Sequence, residues 1–174
     1  MKTIKHILAV IDDTPRAESI LEKSLELSET LGAKLIVLHT IHIPFLKMPA
    51  YVQDVPVDKA KIKASIDQKI ATLQGERTVE HHTLVYFGDG SERAIVEAKR
   101  DGVDLIVAGS DMDFDKVIRE AQKPILVVND AAKPYRNILI PTDLSEKSKQ
   151  GIAYAKALFE ESSMRLVYGY ERIA

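Results

Sequence analysis

Short apolar runs alternate along the chain with stretches in which apolar residues return every three or four positions. Ile7-Leu8-Ala9-Val10-Ile11 is continuous and aliphatic, the pattern of a parallel strand buried on both faces. Thr14 then offers a hydroxyl cap, with Pro15 at the first helical position. Ala17, Ile20, Leu21, Leu27 and Leu31 share one helix face, and Gly32 ends the helix. Leu35-Ile36-Val37-Leu38 reads as a second strand, followed by a connection punctuated by Pro44, Pro49 and Pro56. Ile62, Ile66, Ile70 and Leu73 mark the next helix, and residues 79–87 a third strand. Gly88-Asp89-Gly90 opens a helix over 91–100, with Ser91 as its cap. Leu105–Ala108 is the fourth strand, 114–121 a short helix and Ile125–Val128 the fifth strand. Strict β/α alternation predicts an α/β fold: a Rossmann-like, doubly wound parallel sheet of five strands with helices on both faces.

The pattern then starts again. Residues 138–171 align without gaps on 7–40 at a constant offset of 131 residues. Ile138, Leu139, Asp143, Leu158, Glu160 and Leu166 repeat Ile7, Leu8, Asp12, Leu27, Glu29 and Leu35, and Ser145 takes the capping place of Thr14. This predicts a first domain over 1–130, a linker over 131–136 and a partial second β-α-β module over 137–174, a copy that stops at Ala174.

Composition narrows the function. With 24 Lys and Arg against 26 Asp and Glu, the net charge is −2. That balance argues against nucleic acid bound through its phosphates. The absence of cysteine excludes disulfides, thiolate metal sites and thiol nucleophiles. The longest apolar runs are far too short to span a bilayer. Asp12 and Asp13 close the first run before a secretory segment could form, so no membrane association and a cytoplasmic location are expected.

Several stretches, in this order and spacing, resemble the universal stress protein family. They are His6 through Pro15, Leu31 through His39, Asp104-Leu105-Ile106-Val107-Ala108-Gly109-Ser110, Pro124 through Val128, and Ile138 through Asp143 with Ser145. The likeness covers 5–130 and again 136–171, the layout of the family's tandem members. It implies strand order 3-2-1-4-5, dimerisation through the last strand, and ATP binding in some members only. Asp12, at the carboxyl end of the first strand, matches an Asp that faces the nucleotide in nucleotide-binding relatives. The residues themselves also allow Asp12 and Asp13 simply to satisfy backbone amides at a strand-to-helix turn.

The phosphate side departs from the family. ATP-binding relatives carry G-x2-G-x9-G-S/T after the fourth strand, whose backbone amides cradle phosphates. Here Gly109 stands first, but the following places hold Met112, Gln122 and Lys123, and no glycine occurs between Gly109 and Gly151. The loop is also shortened, and Asp111, Asp113 and Asp115 occupy it, where they would repel a triphosphate. Their spacing is similar to a calcium loop, yet Lys116 and Gln122 replace the required Gly and Glu. Acidic residues favourably placed at a helix N-terminus explain them better.

Gly88-Asp89-Gly90-Ser91 reads as a tight turn rather than a phosphate loop. His39 with His42, and His81 with His82, show metal-ligand residue types without a convergent geometry. No nucleophile–base constellation is present, so the expectation is no enzyme, no metal and no cofactor: a stress-response or regulatory module without family-type ATP binding. The alternative is an adenine-nucleotide sensor holding AMP or ATP, with Mg, through Asp12, Thr40, Ile41 and Gly109. Residues 44–57, with Phe45, Met48 and Tyr51, are expected to cover that edge or meet a partner. Homo-oligomerisation is expected through the strand Ile125–Val128, whose open edge needs a mate, together with docking of the 138–171 unit on a neighbouring surface.

Overall fold

The computed structural model describes residues 3–41, 58–100, 102–129 and 134–169. The chain runs β1 (His6–Ile11), α1 (Arg16–Leu31), β2 (Lys34–Ile41), α2 (Lys59–Gln74), β3 (His81–Phe87), α3 (Gly90–Arg100), β4 (Leu105–Ala108), α4 (Phe114–Ala121) and β5 (Ile125–Val127). It continues with β6 (Asn137–Thr142), α5 (Glu146–Leu158) and β7 (Ser163–Tyr168). Residues 42–57, which include His42, Phe45, Met48 and Tyr51, lie outside the described residues.

The first five strands form one parallel sheet in the order β3-β2-β1-β4-β5. The central strand β1 is flanked by β2, with Ile7 opposite Leu35, and by β4, with Ile7 opposite Leu105. Ile7, Leu8 and Ala9 are fully buried, as expected where helices cover both faces. On one face Leu8, Val10, Ile36, Leu38 and Ile106 pack with Ala94, Ile95 and Ala98 of α3 and Val117 and Ala121 of α4. α1 and α2 pack together, and α1 presents Ala17, Ile20, Leu21, Leu25 and Leu27 as its buried side. On α2 only Ile70 is buried, while Ile62, Ile66 and Leu73 are half-covered.

Two expected caps are corrected by hydrogen-bond competition. Thr14 does not cap α1 through its side chain. Its hydroxyl donates to Asp12 Oδ1 at 2.6 Å, and α1 starts after Pro15 without a side-chain cap. Ser91 does not cap α3 either: Asp89 Oδ1 accepts from the Glu92 amide at 2.9 Å, and Ser91 Oγ accepts from the Asp113 amide at 3.0 Å. At α3 the Asp89 carboxylate is the stronger acceptor, while at α1 the Thr14 hydroxyl is drawn to Asp12. Strand bounds differ slightly from expectation, since β3 starts at His81 and β5 ends at Val127.

Contacts divide the chain into two compact units, one holding residues 4–132 and the other 133–174 with 1–3. In the second unit β6 and β7 pair in parallel, with α5 between them in sequence. Ser145 does cap α5, accepting from the Ser148 amide at 3.2 Å. The gapless alignment with the first unit is corrected here. Ile138 pairs with Met164, whereas Ile7, its match in that alignment, pairs with Leu35. Leu166 therefore sits opposite Ile140 as Val37 sits opposite Ala9, a register two residues away from that alignment. α5 ends at Leu158, before the place equivalent to the C-terminus of α1, and lacks a counterpart of the left-handed Gly32 cap. The shift is an even number of residues, so each β7 side chain keeps its face of the sheet.

Candidate functional site

Doubly wound sheets bind ligands beyond the carboxyl ends of strands, at the point where strand order reverses. Here that point lies between β1 and β4, and a cleft of about 320 Å³ opens there. Val10 and Ile11 of β1, Thr40 of β2 and Ala108 of β4 form its floor, and the turns that follow form its walls.

Asp12, Thr40 and Gly109 all line this cleft. Ile41 is not among its described lining. It ends β2 opposite Phe87, with its carbonyl accepting from the Gly88 amide at 3.2 Å. Asp12 Oδ1 accepts from both the amide and the hydroxyl of Thr14, at 3.0 and 2.6 Å. The carboxylate thus shapes the strand-to-helix turn through one oxygen. The glycines have a packing role too. A β-carbon on Gly109 would come within 3.3 Å of Ile20 Cδ1, and one on Gly90 within 3.2 Å of Thr40 Oγ1. Close helix-to-strand approach accounts for both.

Arg16 carries no signal in the sequence, because a charged residue in the first turn of a helix is ordinary. The fold brings it across to the turn after β4, where its guanidinium donates to Ser110 Oγ and to Asp111 Oδ1. The same Nη2 lies 2.8 Å from Asp111 Oδ2, so one nitrogen is shared between both carboxylate oxygens. The cleft therefore holds three carboxylates, Asp12, Asp89 and Asp111, against one guanidinium that Asp111 already engages.

The acidic segment after β4 is spread over separate tasks. Asp111 holds Arg16, and Asp113 Oδ1 caps α4 by accepting from the Lys116 amide at 3.1 Å. Asp115 lies in the first turn of α4, where a negative charge suits the helix dipole. Lys116 Nζ joins α4 to Glu92 of α3 at 2.9 Å; that hydrogen bond, against some desolvation, raises the lysine's pKa. Among the described residues no group of three or more His, Asp or Glu side chains is placed to hold a metal ion. His39 is buried with Nε2 3.5 Å from Asp13, while His81 faces Asp67 of α2 at 3.9 Å.

A family model described as the universal stress protein family matches residues 3–112. No curated protein matches the sequence. Among solved structures, the universal stress protein UspA from Lactobacillus plantarum aligns over 74% of this chain and 100% of its own, with a TM-score of 0.62 at 16% identity. A universal stress protein from Archaeoglobus fulgidus aligns over 94% of this chain at a TM-score of 0.70 and 15% identity. This chain spans only 65% of that one. Another universal stress protein from Archaeoglobus fulgidus, solved in complex with dAMP, aligns over 74% of this chain and 100% of its own (TM-score 0.53, 19% identity).

Proposed function

Since the chain belongs to the universal stress protein family, we propose that it is a non-catalytic regulatory module of that family whose carboxyl-edge cleft does not hold ATP. The observation that carries this reading is the charge of the cleft: three carboxylates face one guanidinium that is already paired. A triphosphate would meet net repulsion there. It would also lack a backbone cradle, because α4 begins at Phe114 and no glycine follows Gly109 before Gly151. The residues present do not fit the group that ATP-binding relatives hold.

A second reading rests on Arg16. A nucleoside monophosphate needs far less charge compensation than a triphosphate, and this guanidinium can exchange Asp111 for a phosphate oxygen. Asp12 then offers an acceptor to an adenine amino group or ribose hydroxyl, beside Thr40 and Gly109. A fold relative solved in complex with dAMP, a monophosphate, supports testing this class of nucleotide. Thermal-shift titration with ATP, AMP and magnesium separates the two. The first reading predicts no shift with any of them; a shift with AMP that Arg16→Ala abolishes supports the second.

The 137–174 unit is read as a partial second family module. Both units place an Asp carboxylate on the amide two residues on, Asp12 to Thr14 and Asp143 to Ser145, at 3.0 and 2.9 Å. The alignment of nearly the whole chain with part of a longer family member supports the same reading. No helix among the described residues is long and apolar enough to cross a membrane.

A further inference from the structure

A second cleft, of about 430 Å³, opens at the opposite, amino edge of the five-stranded sheet, and it shares no lining residue with the first. His6, Ile36 and His82 come from the starts of β1, β2 and β3, and Glu97 from the last part of α3. Ile36, Leu84 and Tyr86 supply an apolar wall. This volume lies in the range of small-molecule sites.

Glu97 is the unexplained group. It stands only 2% exposed, yet its Oε2 is buried and has no hydrogen-bond partner. Oε1 lies 3.9 Å from Arg100 Nη1, a charge contact too long for a hydrogen bond. A buried carboxylate oxygen without a donor is costly unless something occupies it. At the rim, Lys34 Nζ and Glu80 Oε1 neutralise each other at 2.8 Å. The guanidinium of Arg100 is 68% exposed and faces Oε1. Neither rim cation is hydrogen-bonded to Oε2, which therefore keeps its demand for a donor.

We propose that the amino-edge cleft binds a small organic cation, an alkylammonium or alkylguanidinium, with its N–H groups donating to the Glu97 carboxylate and its alkyl chain along Ile36, Leu84 and Tyr86. An anion is disfavoured by the buried Glu97 carboxylate in the lining. A metal ion is disfavoured because no group of three or more His, Asp or Glu side chains among the described residues could hold one. The pairing of a buried charge acceptor with an apolar wall selects a cation that carries hydrocarbon. This site stands apart from the reading of the carboxyl-edge cleft, and neither depends on the other.

Amide NMR titration of the full chain with n-butylammonium and n-butylguanidinium tests the assignment, with 1-butanol as the uncharged control. Saturable shifts confined to His6, Ile36, His82, Leu84 and Glu97 are expected for the cations and not for the alcohol. Glu97→Gln, which keeps shape and removes charge, weakens binding by about tenfold or more. Arg100→Ala leaves Glu97 folded in place with less competing charge, and tightens binding by about threefold. Absence of saturable shifts (a cleft filled by water alone), equal binding of 1-butanol, unchanged affinity in Glu97→Gln or weaker binding in Arg100→Ala would each overturn the proposal.

Discussion

Arg16 and Asp111 illustrate how single residues set what the carboxyl-edge cleft can accept. Both are partly exposed, so their pairing adds little to stability, but it fixes where the cleft's positive charge lies. Gln122 makes a different point. It adopts a left-handed φ of 52° as the C-cap of α4, a place where glycine is the usual residue. The backbone still turns as a glycine would, while the side chain bears the strain. Gln122→Gly is expected to raise stability by up to about 1 kcal/mol, less any entropy lost to the freer unfolded chain. Urea unfolding checks this; a destabilised variant would mean that the Gln122 side chain contributes more than the strain removes.

Asp67 ties α2 to the edge strand β3, accepting from Lys63 Nζ and from Thr83 Oγ1, each at 2.6 Å. Partial burial pushes the carboxyl's pKa up, but those two hydrogen bonds, helped by the charges of Lys63 and His81, outweigh it and leave the pKa lowered. A lowered folded pKa means that the stabilisation is present above the unfolded value, near ~4, and is lost as pH falls through the folded one. Asp67→Asn is therefore expected to lose about 1 kcal/mol at neutral pH and progressively less than that below about pH 4. Stability curves at the two pH values decide it, and a difference independent of pH would contradict the assignment. At this scale most of the fold could be read from sequence. The runs Ile7–Ile11, Leu35–Leu38 and Leu105–Ala108 are strands because buried parallel strands are aliphatic throughout. The caps of α1 and α3 were not legible, since the Thr14 hydroxyl turns back to Asp12 and Asp89 takes the capping amide that Ser91 was expected to hold. The register of β7 was hidden for a similar reason: no glycine marks where α5 stops, and the chance match of Leu166 with Leu35 masked the shift. Of the cleft, Asp12, Thr40 and Gly109 could be placed from strand ends. Arg16 could not, because its partner lies 95 residues away in sequence.

Over the whole molecule, two surfaces call for partners. β5 is the last strand of its sheet, and among the described residues it pairs with β4 alone, leaving Val127 37% exposed. In the second unit Leu139, Leu166, Val167 and Tyr168 are each about half exposed or more on a two-stranded sheet, too small to bury both faces by itself. Self-association through the Ile125–Val128 edge follows as a proposal, and Val127→Lys is expected to shift the chain towards monomer by placing charge on that edge. Light scattering at micromolar concentration reads the change; a wild-type protein already monomeric there would end the idea. The central claim, that the cleft lacks the means to hold a triphosphate, is tested most directly by isothermal calorimetry of the full chain with ATP and magnesium. The account predicts no saturable heat up to about millimolar ATP. Saturable binding in the low micromolar range, retained in Arg16→Ala, would contradict it.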